Sequence, residues 1–316
     1  MFKEVSTVNY KYKFETMPKP LYIRHLPGQG GKLIEEKQLP PENVVFNPSI
    51  AYPIIYMRGV KQTQNAEENY IILYNIETTQ SQTIAGLSNV LQKNVNRYQG
   101  LEDLRICNYK DRLWFTATTT HASPAMNSEV VVGYFNGAKT SIEALSYIPL
   151  GKPPVKNICP FVYKSKLLLF DIYKKQIYEV IDKKTGQTIT NTTKSFDVAK
   201  LLPISVGANL DIDNFRGSTS PVHLHGSLFG CVVHDIIFND STQQVTQLAY
   251  MHYWIEIDVE SGQVSFVSSP FWVTTFGVEF VSGIRIDGEN VELYLGVQDK
   301  TAVKYVTNLS GLRSGK

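Results

Sequence analysis

Short runs of β-branched and aromatic residues, each cut off by a turn, recur along the whole chain and leave little room for helices. They are 70–74 (YIILY), 113–118 (LWFTAT), 129–135 (EVVVGYF), 166–172 (KLLLFDI) and 176–181 (QIYEVI). Further on come 228–234 (LFGCVVH), 250–259 (YMHYWIEIDV), 264–267 (VSFV) and 291–297 (VELYLGV). Gly, Pro, Asn, Asp or Lys-rich turn signals bound each of them. The 18 Tyr and 15 Phe, with plentiful Val, Ile and Thr, suit a pleated, packed surface. A helical period can be sought only over 75–96, where Gly86 and the Thr/Ser content argue against it. The chain is expected to be all-β.

A coarse repeat narrows the architecture. A polar or turn cluster followed by two or more strands begins near Asn47, Gly100, Lys156, Arg216 and Glu279, at intervals of 53 to 63 residues. Such a unit is long enough for a four-stranded antiparallel sheet, and five of them predict a five-bladed β-propeller. The expected boundaries are an N-terminal extension over 1–45, packing on the ring, and the propeller over 46–316. A pair of β-sandwich domains divided at Pro153-Pro154 is the alternative. In a propeller the first strand of every blade lines a central channel, so the five polar heads would meet in one funnel.

Composition removes other classes. Hydrophobic residues at 43% and charged residues at 19% exclude a disordered or fibrous chain. A net charge of +2, with Lys and Arg scattered, gives no nucleic-acid footprint. Cys107, Cys159 and Cys231 make no disulfide framework and no C-x-x-C pair, which fits a reducing compartment. The first twenty residues carry charges throughout and no apolar core, unlike a signal peptide. No run approaches the roughly 18 apolar residues of a membrane helix. A cytoplasmic, membrane-free protein is expected, so the sequons at Asn191, Asn239 and Asn308 read as coincidental. Nucleotide, nucleophile-elbow and zincin motifs are missing, and the glycines of 28–31 lack a strand–helix context.

The heads carry the chemistry. They are Asn47-Pro48, G-x-E-D-x-R-I over 100–106, K-N-x-x-P over 156–160, and R-G-S-T-S-P over 216–221 followed by a strand ending in His234. The last is E-F-x-x-G over 279–283, with G-x-x-D at 296–299. In this order they resemble the five-bladed propellers of the β-mannoside phosphorylase family and its related mannosyltransferases. The resemblance runs from about Asn47 to Asp299. It implies a carbohydrate-active enzyme working on β-linked, mannoside-like glycosides with inversion, transferring the glycosyl group to sugar, phosphate or water. Oligosaccharide or sugar phosphate would be the substrate and inorganic phosphate a candidate co-substrate, with no other cofactor and no metal. The alternative is a non-catalytic glycan-binding propeller acting with a glycosyltransferase partner.

By resemblance Asp103 is the proton donor to the leaving group. Strand alternation places Asp103 and Arg105 on one face, and an adjacent Arg lowers a carboxyl pKa where an acid near neutrality needs it raised. Lys156, Arg216, Arg105 and His234 are the anion donors, and Asn47 and Asn157 can bond sugar hydroxyls. Ser218 and Thr219 add two hydroxyls beside Gly217. Glu279 and Asp299 are the remaining acidic candidates, as a hydrolase base or as acceptors for hydroxyls. The family's phosphorylases carry a His on the third blade where this chain has Asp171. A carboxylate facing phosphate would repel it and give water or sugar acceptors more weight, unless Asp171 is a strand-end turn residue. His223 and His225 flank a turn at Gly226 and face solvent. Tyr250, His252 and Trp254 share a strand face and read as core.

Overall fold

Every strand-like run named above lies within a strand, apart from Ile172 and Val259 at the ends of two runs. The structure, a computed structural model, describes residues 24–28, 31–33, 44–62, 67–84, 98–119, 129–148, 156–183, 195–206, 212–239, 246–274 and 277–314. Most of the proposed extension, part of the stretch 75–96 and Pro153-Pro154 lie outside them.

The chain opens with β1 (Arg24–His25) and β2 (Gly31–Leu33). Blade one follows as β3 (Val44–Ala51), β4 (Ile54–Gln62), β5 (Glu67–Asn75) and β6 (Gln80–Ile84), with β7 (Tyr98–Gln99) parallel to β5. Blade two is β8 (Glu102–Tyr109), β9 (Arg112–Thr119), β10 (Glu129–Phe135) and β11 (Ile142–Ile148). Blade three is β12 (Cys159–Tyr163), β13 (Lys166–Asp171), β14 (Gln176–Lys183) and β15 (Ser195–Pro203). After β16 (Ser205–Val206), blade four has an inner edge in two pieces, β17 (Arg216–Gly217) and β18 (Val222–His225), both paired to β19 (Leu228–Asn239). It continues with β20 (Thr246–Asp258), β21 (Gln263–Val267) and β22 (Phe271–Trp272), which β1 joins in parallel. Blade five is β23 (Glu279–Asp287), β24 (Asn290–Val297) and β25 (Thr301–Asn308), and its fourth strand is β2. A single-turn helix, α1 (Leu309–Arg313), is capped by the Asn308 side chain. These sheets form a five-bladed β-propeller, one ring and not two sandwiches. Among the described residues no helix is long and apolar enough to cross a membrane.

Period-two patterning explains how the blades hold together. On β10, Val131 and Phe135 pack toward blade one, whereas Val130, Val132 and Tyr134 pack toward blade three. On β13, Leu168 and Phe170 face blade four, and Leu167 and Leu169 face blade two. Both faces of each sheet are thus buried, and there is one apolar cluster at each of the five seams. Each fully buried side chain of this kind contributes about 1.5–3 kcal/mol, so the ring rests on many comparable seam contacts. Cys107, Cys159 and Cys231 are free thiols. Burial pushes Cys159 up to about 12, which leaves it unreactive.

Polar bonds cross the seams near the inner strands. Ser282 Oγ donates to the Pro48 carbonyl (2.8 Å), joining blade five to blade one. Thr116 Oγ1 donates to the Ile158 carbonyl (2.6 Å), joining two to three. The Val281 N–H donates to His252 Nε2 (3.3 Å), joining five to four.

Candidate active site

Asn47, Asp103 and Asn157 hold equivalent places at the heads of three successive blades. All three take left-handed backbone angles, with φ of 50°, 55° and 60°. Asn and Asp tolerate that region best among residues with a side chain, because their short polar groups bond locally. In β3 and β8 the place is a bulge, where residues 47–48 and 103–104 each stand opposite a single residue of the neighbouring strand. The bulge removes the expected alternation. Asp103 and Arg105 do not present a carboxylate and a guanidinium side by side.

Instead Asp103 turns toward blade one. Its Oδ1 accepts from Asn47 Nδ2 at 2.7 Å and lies 3.7 Å from Nη1 of Arg58 on β4. Arg58 Nη1 also lies 3.8 Å from Glu102 Oε2, and its Nε donates to Asn69 Oδ1 at 2.6 Å. The Asp103 side chain remains 18% exposed. Burial alone would raise its pKa, but Arg58 first, then Arg105, the Asn47 amide and Lys156, hold the carboxyl below its ordinary value.

Arg105 dives into the axis, only 1% exposed. Its Nη1 donates to the carbonyls of Asp103 (2.8 Å) and Leu104 (3.0 Å). Its Nε donates to the Ser218 carbonyl in blade four, and the guanidinium sits 4.9 Å over the Phe280 ring of blade five. Three blades therefore meet on one cation. Ser218 Oγ bonds His234 Nδ1 at 2.8 Å, and the His234 ring packs edge-on against Tyr250 and Phe280. Burial, then His252, Arg216 and Arg105, push His234 well below its ordinary pKa, so it is a neutral packing and hydrogen-bonding group.

Lys156 is exposed and Arg216 partly so, and among the described residues no carboxylate pairs with either. The Arg216 guanidinium lies 6.0 Å from the Tyr173 ring. Three buried polar atoms of this neighbourhood, Asn47 Oδ1, Arg105 Nη2 and Asn157 Oδ1, have no hydrogen-bond partner among the described residues. Such atoms are uncommon in folded chains and mark places where water or a ligand completes the network.

The other expected groups are engaged internally. Thr219 is fully buried, and its Oγ1 accepts from the Val232 N–H at 3.0 Å. Glu279 is fully buried too. It accepts from the Val273 N–H and, at 2.8 and 2.9 Å, from the Thr274 N–H and hydroxyl, so it braces the loop before β23. Asp299 is exposed on the hairpin between β24 and β25, with φ 51°. Asp171 is the turn residue of the two readings. Its Oδ1 accepts from the Lys174 N–H (3.0 Å), and it lies next to Tyr178 on the blade-two face. His223 and His225 are exposed beside Gly226, and His252 and Trp254 are buried. Sequence reasoning missed Arg58 and the orientation of Glu102. Arg58 sits inside a plain strand of blade one, and it meets Asp103 only across the seam, from the bulge in β8 of blade two.

No protein-family model and no curated protein sequence matches the chain. Solved structures do. A mannose phosphorylase from Leishmania mexicana, solved in complex with a phosphate ion, superposes with a TM-score of 0.59 at 14% identity, over 90% of this chain and 89% of that one. A GDP-Man-dependent mannosyltransferase from the same organism gives 0.58 at 14% identity, over 91% and 92%. A β-1,2-mannobiose phosphorylase from Listeria innocua gives 0.51 at 13% identity, over 88% and 94%. At these identities the likeness is one of fold.

Proposed function

We propose that this propeller is an inverting enzyme of β-linked mannosides whose second reactant carries phosphate, with Asp103 as the proton donor. The observation that carries the reading is the setting of Asp103. It is a partly exposed carboxylate at the head of the ring, held by Asn47 and surrounded by Arg58, Arg105 and Lys156. Arg216 and Lys156 keep their charges unpaired among the described residues. A water-activating base would need a second carboxylate spaced for a water. Glu279 and Asp171 are both tied to backbone amides, and Glu102 shares the Arg58 guanidinium with Asp103. Cations without counter-charges suit an anionic reactant better.

The step is then a single displacement. The bond from the anomeric carbon to the glycosidic oxygen breaks as the Asp103 proton passes to that oxygen. A phosphate oxygen bonds to the opposite face of the carbon, which gives the inverted sugar phosphate and a free saccharide. Run backwards, the same site builds the glycoside from a sugar phosphate and an acceptor. Asp103 must be protonated for this, yet the cations around it favour the ionised form. Bound phosphate cancels part of that field and lets the carboxyl pKa rise, so anion binding arms the acid.

The test is phosphate-dependent breakdown of β-mannobiose, read as sugar phosphate formed. Asp103→Asn is expected to lower turnover by about 10²–10⁴-fold while saccharide affinity holds. Glycan binding without any turnover in the unaltered protein, unchanged in D103N, would instead favour a non-catalytic glycan-binding module.

A further inference from the structure

We propose that Tyr173 is the stacking platform for the saccharide unit that leaves or accepts, and that Asp171 is the positioning residue that holds it there. The inference rests on the function proposed above and names a determinant of which saccharide is taken. Tyr173 is one of four large hydrophobic side chains left exposed among the described residues, at 50%. It stands on the turn between β13 and β14. Because β13 runs antiparallel to β12, this turn lies at the same end of blade three as the Lys156–Asn157 head. That is the end of the ring at which the inner strands of the blades begin.

The turn is fastened on every side. The Lys174 N–H donates to Asp171 Oδ1 (3.0 Å) and the Lys175 N–H to the Ile172 carbonyl (3.1 Å). The Ile204 N–H donates to the Lys175 carbonyl (2.9 Å), and Lys175 pairs with Asp213. Ile172 is buried in the seam to blade four. A ring on so fixed a turn loses little freedom on binding, which is what an exposed aromatic platform needs.

Its neighbour ties it to the reaction. The Arg216 guanidinium lies 6.0 Å from the ring, at the outer edge of cation–π range. The next residue, Gly217, packs so close to the Asn157 carbonyl that a side chain there would collide with it. Ser218 then accepts from Arg105, which bonds the backbone of Asp103. A continuous set of contacts thus runs from Tyr173 to the proton donor. On the proposed reading, a saccharide held at Asp103 and extending over Arg216 would stack on the tyrosine ring.

Calorimetric titration of β-mannobiose into the unaltered protein, D103N and Y173A, beside turnover of each, tests both steps separately. Y173A is expected to weaken binding and raise KM about tenfold with kcat within twofold. Y173F should match the unaltered protein, because the ring and not the hydroxyl is used. Asp171→Ala should raise KM severalfold, and Asp171→Asn should restore it through its own amide oxygen. Y173A binding as tightly as the unaltered protein, while turnover persists, overturns the platform and leaves the enzyme reading standing. Binding lost in Y173A with no turnover anywhere supports the platform and overturns the catalytic reading. No measurable mannobiose binding by the unaltered protein overturns the platform as well.

Discussion

The guanidinium of Arg105 reaches across the ring from blade two and binds the main-chain carbonyl of Ser218 in blade four. The carbonyls of Asp103 and Leu104 take its other bonds, so one buried cation fixes the bulge that carries Asp103. Arg105→Met keeps much of the length but leaves those carbonyls without donors. It is expected to lower unfolding free energy by about 2–4 kcal/mol and to remove turnover. A urea titration alongside the mannobiose assay checks both. Arg105→Lys should recover part of the stability and little of the activity, since an ammonium cannot span the same set of acceptors.

Gly296 leaves room for Asn47. A methyl group at 296 would run into Asn47 Oδ1 and come within 2.8 Å of its backbone nitrogen. Gly296→Ala should therefore shift Asn47 off Asp103 Oδ1, at a cost of about 1–3 kcal/mol for overpacking. Turnover should fall at least tenfold while saccharide binding changes less. Equal kcat in G296A and the unaltered protein would remove Asn47 from the positioning of Asp103.

Asp171 makes its own pH signature. Burial pushes its carboxyl from 3.8 up to about 6, against the opposing Lys174 amide and charge. A raised folded-state value favours the fold fully below pH 3.8, and that contribution is lost as pH rises through about 6. At pH 7 the ionised carboxylate is thus a burden. Asp171→Asn, which still accepts from Lys174, should stabilise the protein by about 1–3 kcal/mol at pH 7–8 and by nothing near pH 3.5. Urea midpoints measured across that range check the sign.

The buried histidines act in the other direction. Burial pushes His252 down to about 3, and His234 lies well below its ordinary 6.5. Unfolded chains take up these protons near pH 6.5, and the folded ring refuses them. Stability present above that pH should drain away as pH falls, by up to about 1.4 kcal/mol per pH unit for each histidine. His252→Gln keeps an acceptor for the Val281 N–H, so its stability profile should be flatter between pH 6.5 and 4. A slope unchanged by the substitution would assign the acid sensitivity to other groups.

The architecture was readable because both faces of each sheet are buried, so strands such as 129–135 appear as near-continuous apolar runs between turns. The spacing of the polar heads matched the inner strands for the same reason, since each blade repeats one unit of chain. The detail of the site was not readable. Strand alternation assigned Asp103 and Arg105 to one face, and a left-handed bulge at Asp103 separates them. Nothing local to Glu279 shows that loop amides at Val273 and Thr274 will enclose its carboxylate. Arg58 enters the site only through the pairing of two strands. The shared choice of Asn or Asp at 47, 103 and 157 was the usable signal, because that choice favours positive φ.

Blade five takes its outermost strand, β2, from ahead of blade one. During synthesis the segment made early must therefore wait, unpaired, while four blades are laid down behind it. A nascent chain halted just before β23 would carry its β2 segment with nothing to dock on, and the circle would shut only when the final hairpin emerges.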